Sequence, residues 1–167
     1  ITILICFPSI GHAGDCGLKG DINDDGRIGI DEAIYALQIV SGIISTDLTG
    51  VWEGTWFQNP GGTASEYKCK MVLTQNGTAI TGTSRVELID QPQYYGVMKL
   101  NGNISGSVVS LQETEMIENY PEPSTYWCVK TVTLNLSYSD GIKKLVGSWS
   151  APGCSPGEVV MWLNGQN

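Results

Sequence analysis

From Gly50 to the end of the chain, apolar and polar residues alternate in short runs, and turn signals separate one run from the next. A period of two is the mark of a half-buried β-strand. Residues 50–57 put Trp52 and Trp56 on one face, and residues 67–75 put Tyr67, Cys69, Met71 and Leu73 on one face. Asn76-Gly77, a strong two-residue hairpin signal, then leads into the returning run 78–89. Residues 97–104 and 108–113 form a second hairpin around Ser105-Gly106-Ser107. The longest run, 126–138, turns Val132, Leu134 and Leu136 one way and Thr131, Thr133 and Asn135 the other; Asp140-Gly141 reverses it into 144–150. A last strand covers 159–163. About eight strands, nearly all adjacent in sequence, close into an up-and-down barrel or pack as a sandwich. Closure removes exposed edges and favours the barrel. The expected fold is therefore mainly β: an antiparallel up-and-down β-barrel over 47–167.

Composition agrees with that class. Hydrophobic residues make up 41% of the chain, enough for a core, while only 16% are charged and 21 are Gly. This is the profile of a turn-rich exported β domain. Nine basic against 17 acidic side chains give a net charge of −8. A chain with that balance lacks the basic face that phosphate contacts need, so no nucleic-acid partner is expected.

Residues 1–13 read as the remnant of a signal peptide. ITILICF is an unbroken apolar run, followed by Pro8, Ser9 and the small stretch Gly11-His12-Ala13, with the cut placed after Ala13. The run is too short for a bilayer, so no membrane span is expected. The implied location is secreted, extracellular or at the cell surface. His12 is the single histidine. Its loss would exclude Ser-His-Asp and Cys-His catalysis and every His-ligated zinc site. Cys6 leaves with the leader, and Cys16, Cys69, Cys128 and Cys154 remain, an even set that export allows to form two bridges. None are spaced as structural zinc ligands. A symmetric hairpin at Asp140-Gly141 sets Cys128 against Cys154 and leaves Cys16 to Cys69.

Residues 14–46 are read as a separate calcium-binding loop-helix unit. DINDDGRIGIDE, residues 21–32, matches a twelve-residue calcium loop. Asp21, Asn23 and Asp25 supply side-chain oxygens at alternate positions, Arg27 a backbone carbonyl, and Glu32 a bidentate carboxylate. Ca²⁺ is a hard cation that takes six to eight oxygens, which explains the residue types. Gly26 stands where the chain must reverse sharply, and Gly29 leaves one vertex to water. After the loop, Ile30, Ala33, Ile34, Leu37, Val40 and Ile44 recur at helical steps, with Asp31 and Glu32 in the first turn and Gly42 as the stop. The apolar stripe is expected to dock on the rest of the chain or on a partner.

GDINDDGRIGIDEAIYALQIVSGI, residues 20–43, resembles one repeat of a type I dockerin, found in secreted bacterial proteins. The resemblance implies a bound Ca²⁺ and a cohesin-like protein partner. Dockerins that bind cohesins carry two such repeats, and this chain shows one. Gly50-Val51-Trp52 and Gly54-Thr55-Trp56 resemble the G-x-W opening of lipocalin- and avidin-like (calycin-like) barrels. That likeness implies architecture, and a fold of this kind transfers no function by itself.

Residues 112–124 (QETEMIENYPEPS) read as the one long irregular loop, with Glu113, Glu115, Glu118, Glu122 and Tyr120. Tyr94, Tyr95 and Trp162 are candidates for the rim of a binding mouth. The expected function is that of a secreted calcium-binding protein whose barrel is a binding or assembly module, not an enzyme. Its partner would be a cohesin-like protein or a small apolar or glycan ligand, and Ca²⁺ its one cofactor. Two alternatives remain: a polysaccharide-active enzyme using loop carboxylates, and a purely structural cell-surface protein.

Overall fold

The computed structural model describes Asp21 and residues 26–40, 46–59, 64–139 and 142–164. The expected leader, Cys16, Gly42 and Ile44 lie outside the described residues. The chain divides into two compact units, Ile1–Ser45 and Thr46–Asn167. Among the described residues no helix is long and apolar enough to cross a membrane.

In the first unit the described helix is α1 (Ile30–Val40), with Asp31 and Glu32 in its first turn. Those carboxylates meet the positive end of the helix dipole. Ile30, Ile34, Leu37 and Val40 are exposed.

The second unit is a closed barrel of eight antiparallel strands in sequence order. They are β1 (Gly50–Gln58), β2 (Glu66–Asn76), β3 (Ala79–Leu88), β4 (Tyr95–Ser105), β5 (Val108–Tyr120), β6 (Thr131–Ser139), β7 (Ile142–Ala151) and β8 (Cys154–Leu163). β1 and β8 close the ring, from Trp52 opposite Leu163 to Gln58 opposite Gly157. The alternation in sequence becomes alternation in space. Trp52 and Trp56 on β1, Tyr67, Cys69, Met71 and Leu73 on β2, and Val132, Leu134 and Leu136 on β6 all point into one core.

The two ends differ. At one end the strands are joined tightly: Asn76 pairs with Ala79, Ser105 with Val108 and Ser139 with Ile142. Gly77 and Gly106 adopt φ of +60° and +62°, which such two-residue turns require. The segment before β1 seals this end. Leu48 is fully buried, its N–H donates to Gln75 Oε1 at 2.9 Å, and its carbonyl accepts from Trp52 Nε1 at 2.8 Å. Lys143 Nζ donates to the Asp47 carbonyl. The opposite end carries the longer connections and is the mouth.

Candidate functional site

β5 shapes the mouth. It pairs with β6 only from Val108 to Gln112, then continues to Tyr120 against β4 alone. Two register shifts interrupt that pairing. Lys99 and Leu100 face Glu115 and Glu113, so Thr114 is extra; Val97 and Met98 face Glu118 and Met116, so Ile117 is extra. Bulges of this kind bend and twist a strand. Residues 121–130 then cross the mouth as a strap before β6 begins. Residues 112–124 are thus mostly strand rather than the expected loop, and residues 126–130 are strap rather than the expected strand.

The strap is tied down at three points. Cys128 is bridged to Cys154 at the start of β8. Tyr126 Oη donates to the Gly153 carbonyl at 3.1 Å. The Trp127 ring meets Tyr67 edge-on at 5.8 Å. The Cys128–Cys154 pairing is the expected one, but its geometry is not that of facing strands. The β6–β7 ladder ends at Thr131 opposite Ser150, and both cysteines lie beyond it. The other expected bridge is corrected: Cys69 is a free thiol, fully buried on the inner face of β2. Its place in the alternating apolar face of that strand explains the burial. Cys16 lies outside the described residues.

Beneath the strap is a cavity of about 260 Å³. Trp56, Tyr67, Trp127 and Trp149 give it an aromatic wall, Val86 and Leu88 an aliphatic one, and Lys130 a buried cation. The wall rests on a polar cluster inside the barrel. Glu113 falls on the inward side of β5 after Val109 and Leu111. Its Oε1 accepts from Ser84 Oγ at 2.6 Å, and its Oε2 accepts from the Lys130 backbone N–H at 2.8 Å and from Lys130 Nζ at 3.4 Å. Lys130 Nζ also donates to the Cys128 carbonyl at 2.9 Å. The ammonium lies 5.0 Å from the Trp56 ring and 5.8 Å from the Trp149 ring, within cation–π range. Burial pushes the neighbouring Cys69 thiol up and keeps it protonated; the Trp56 indole beside it partly opposes the shift.

The carboxylates read as a catalytic group do not converge. Glu113 is buried in the cluster, Glu115 pairs with Lys99, and Glu118 accepts from Tyr95 Oη at 2.8 Å on the outer surface. That last bond holds the Tyr95 phenol above its usual range. Glu122 lines the cavity at the strap. Of the expected rim aromatics, Tyr94 packs against the core at the mouth end. Tyr95 instead stacks on Tyr120 at 4.9 Å beneath the Arg85 guanidinium, and Trp162 is exposed on the outer face of β8 under Lys144. The sequence reading missed Lys130. The signal for it was an acidic residue on the apolar side of β5, which demands a buried cation.

In the loop of the first unit, Gly26 has φ +78°, and its N–H donates to Asp21 Oδ2 at 2.8 Å. Gly29 N–H donates to Glu32 Oε2 at 2.6 Å. Glu32 is 8% exposed, and its Oε1 is buried without a hydrogen-bond partner among the described residues. An orphaned buried carboxylate oxygen is costly unless a cation meets it, so Glu32 fits the bidentate ligand role. Arg27 is described beside Gly26; Asn23 and Asp25 lie outside the described residues. Among the described residues no three acidic, Cys or His side chains gather on one metal position.

Comparison with protein-family models, curated proteins and solved structures gives no match for this chain.

Proposed function

We propose that this chain is a secreted, non-enzymatic binding protein. The barrel mouth takes up a small molecule, and a dockerin-like calcium loop serves as a structural or docking element. The strapped cavity carries this reading. Its concave shape, aromatic and aliphatic walls and single buried cation match the make-up of small-molecule sites. At about 260 Å³ it falls just under the ~300–1,000 Å³ of drug-sized pockets, which suits a small ligand. For the loop, support comes from the Gly26 turn on Asp21 and the orphaned Glu32 oxygen. Asp21, Asn23, Asp25, Glu32 and the Arg27 carbonyl would hold Ca²⁺, which would fix the loop against the start of α1. A cohesin-like protein is the partner that the repeat suggests.

The test uses the full exported chain. Trp56, Trp127 and Trp149 line the cavity, so ligand uptake will change tryptophan fluorescence across a panel of single-ring compounds, short acyl chains and oligosaccharides. Saturable quenching by at least one class is expected, and a flat response to all of them would reject the binding reading. Calorimetric Ca²⁺ titration should show one site that Glu32→Gln abolishes. Equal heats for the two proteins would reject the calcium assignment.

A further inference from the structure

Closing a barrel removes exposed strand edges, yet this closed barrel keeps one. β5 leaves β6 after Gln112, and the Glu113 N–H makes the last backbone link to that side, donating to the Lys130 carbonyl at 2.9 Å. Residues 114–120 then pair with β4 alone. Among the described residues this is the longest run of strand with a neighbour on one side only. At a strand's rise it spans roughly 20 Å. Thr114, Glu115, Ile117, Glu118, Asn119 and Tyr120 are all exposed, whereas the lower half of β5 alternates in and out. An edge of this kind presents a row of backbone N–H and C=O groups that can template a further strand.

Charge and shape decide what can pair there. Natural edges are guarded by lysine, by proline or by bulges. TEMIENY, residues 114–120, holds neither lysine nor proline, and its guard is the pair of bulges. Bulges twist an edge, so two such rims on rigid barrels would not align, while a single flexible strand can follow the twist. Two copies of the chain would also repel: each carries a net charge of −8, and edge-to-edge pairing would crowd Glu115, Glu118 and Glu122 of both. Residues 112–129 contain no lysine or arginine. Lys99 pairs with Glu115, but Glu118 accepts from the neutral Tyr95 hydroxyl, and Glu122 follows at the strap. The edge is therefore complementary to a basic strand. Ile117 and Tyr120, 47% and 55% exposed, add apolar surface to it.

We propose that residues 114–120 are a docking edge for a basic, extended peptide segment of another protein, which adds beside β5 as a further strand. Main-chain hydrogen bonds supply the affinity, Glu118 and Glu122 select lysine or arginine, and Ile117 and Tyr120 take apolar residues. None of residues 114–120 lines the mouth cavity, so failure here leaves the mouth reading standing.

The probe is a labelled heptapeptide of alternating lysine and valine, titrated by fluorescence anisotropy against the full chain at low salt. Binding is expected, weakening as salt is raised. Amide exchange should slow over residues 114–120 and stay unchanged in β1 and β8. A fully N-methylated form has the same charge but no ladder donors, and should bind about tenfold more weakly or worse, the worth of one or more net hydrogen bonds. A glutamate–valine heptapeptide should not bind. No binding of the lysine–valine peptide overturns the docking edge. Equal binding of the N-methylated form, or protection that rises elsewhere than 114–120, overturns strand addition and leaves charge attraction alone. Equal binding of the acidic peptide overturns the basic partner. Sedimentation of the chain by itself as a dimer protected over 114–120 overturns the choice of occupant and makes it a second copy.

Discussion

Glu113 and Lys130 form an ion pair at 3.4 Å inside the barrel, with side chains 0% and 5% exposed. They are 17 positions apart in sequence, and the strap brings them together. Neither is held by its partner alone. Glu113 keeps Ser84 and a backbone N–H, while Lys130 keeps a carbonyl and two indole faces. Removing one member leaves the other charge in a low-dielectric interior. Lys130→Met should therefore destabilise the barrel by about 3–5 kcal/mol. The double variant Glu113→Gln/Lys130→Met should recover much of that loss, because no charge is then stranded. Urea unfolding of the parent, the two single variants and the double variant measures the coupling. Additive losses would show that the pair does not act as a unit.

The strap disulfide closes a loop with a sequence separation of 26. In the chain-entropy account a loop of that length is worth about 3.5 kcal/mol. Cys128→Ser/Cys154→Ser should lower stability by an amount of that order. It should also loosen the strap, whose remaining ties are the Tyr126–Gly153 hydrogen bond, the Trp127 packing and, at its end, the bonds between Lys130 and Glu113. Amide exchange across residues 121–130 is the readout: protection should fall there first and survive in β1, β2 and β8. Uniform loss of protection would mean that the strap is integral to the barrel.

The eight strands were legible because their inward residues repeat at every second position, with turn residues between. Asn76-Gly77 and Ser105-Gly106-Ser107 marked hairpins that the structure places within a residue. The upper half of β5 was not legible. The extra residues Thr114 and Ile117 break the period of two, and QETEMIENY then looks like a loop although it pairs with β4. The opposite error occurred in residues 126–130. Aromatic and β-branched residues there mimic a strand, but Trp127 and Lys130 are turned to the mouth and its interior. Both errors fall where the candidate site lies, since bulges and straps serve to open a mouth and local periodicity does not encode them. Cys128 and Cys154 were paired by a hairpin argument whose register is not the one observed, so that success rests on proximity rather than on strand pairing.

Gly96 lies on the inner face of β4 directly under the strap. A Cβ there would sit 2.9 Å from Trp127 Cγ and 3.0 Å from its Cδ1. Rigid ring atoms at that distance cannot be accommodated without movement, so Gly96→Ala should push Trp127 off its seat and overpack the mouth. The expected cost is about 1–3 kcal/mol. Tryptophan emission should shift to the red as the indole is exposed. If emission is unchanged, Trp127 is not held against Gly96 in solution.

Cys69 gives the barrel an alkaline liability with a definite sign. Its ordinary pKa is 9.0, and burial raises it far above that in the folded state. The unfolded chain therefore releases the thiol proton first. Stability from this group is complete below about pH 9 and falls as pH rises above it, at about 1.4 kcal/mol per pH unit for one proton. Lys143 acts in the reverse sense. Burial lowers its pKa below 10.5, with Asp47 partly opposing, so its contribution rises with pH between the lowered value and 10.5. The Cys69→Ala variant separates the two, because Lys143 titrates alike in both proteins. The variant should start from lower stability through the lost packing, yet its stability should fall less steeply between pH 9 and 10.5. Urea midpoints at quarter-unit pH steps provide the comparison. Parallel curves would mean that the Cys69 thiol reaches solvent in the folded protein, and rapid labelling by a thiol reagent would then be seen without denaturant.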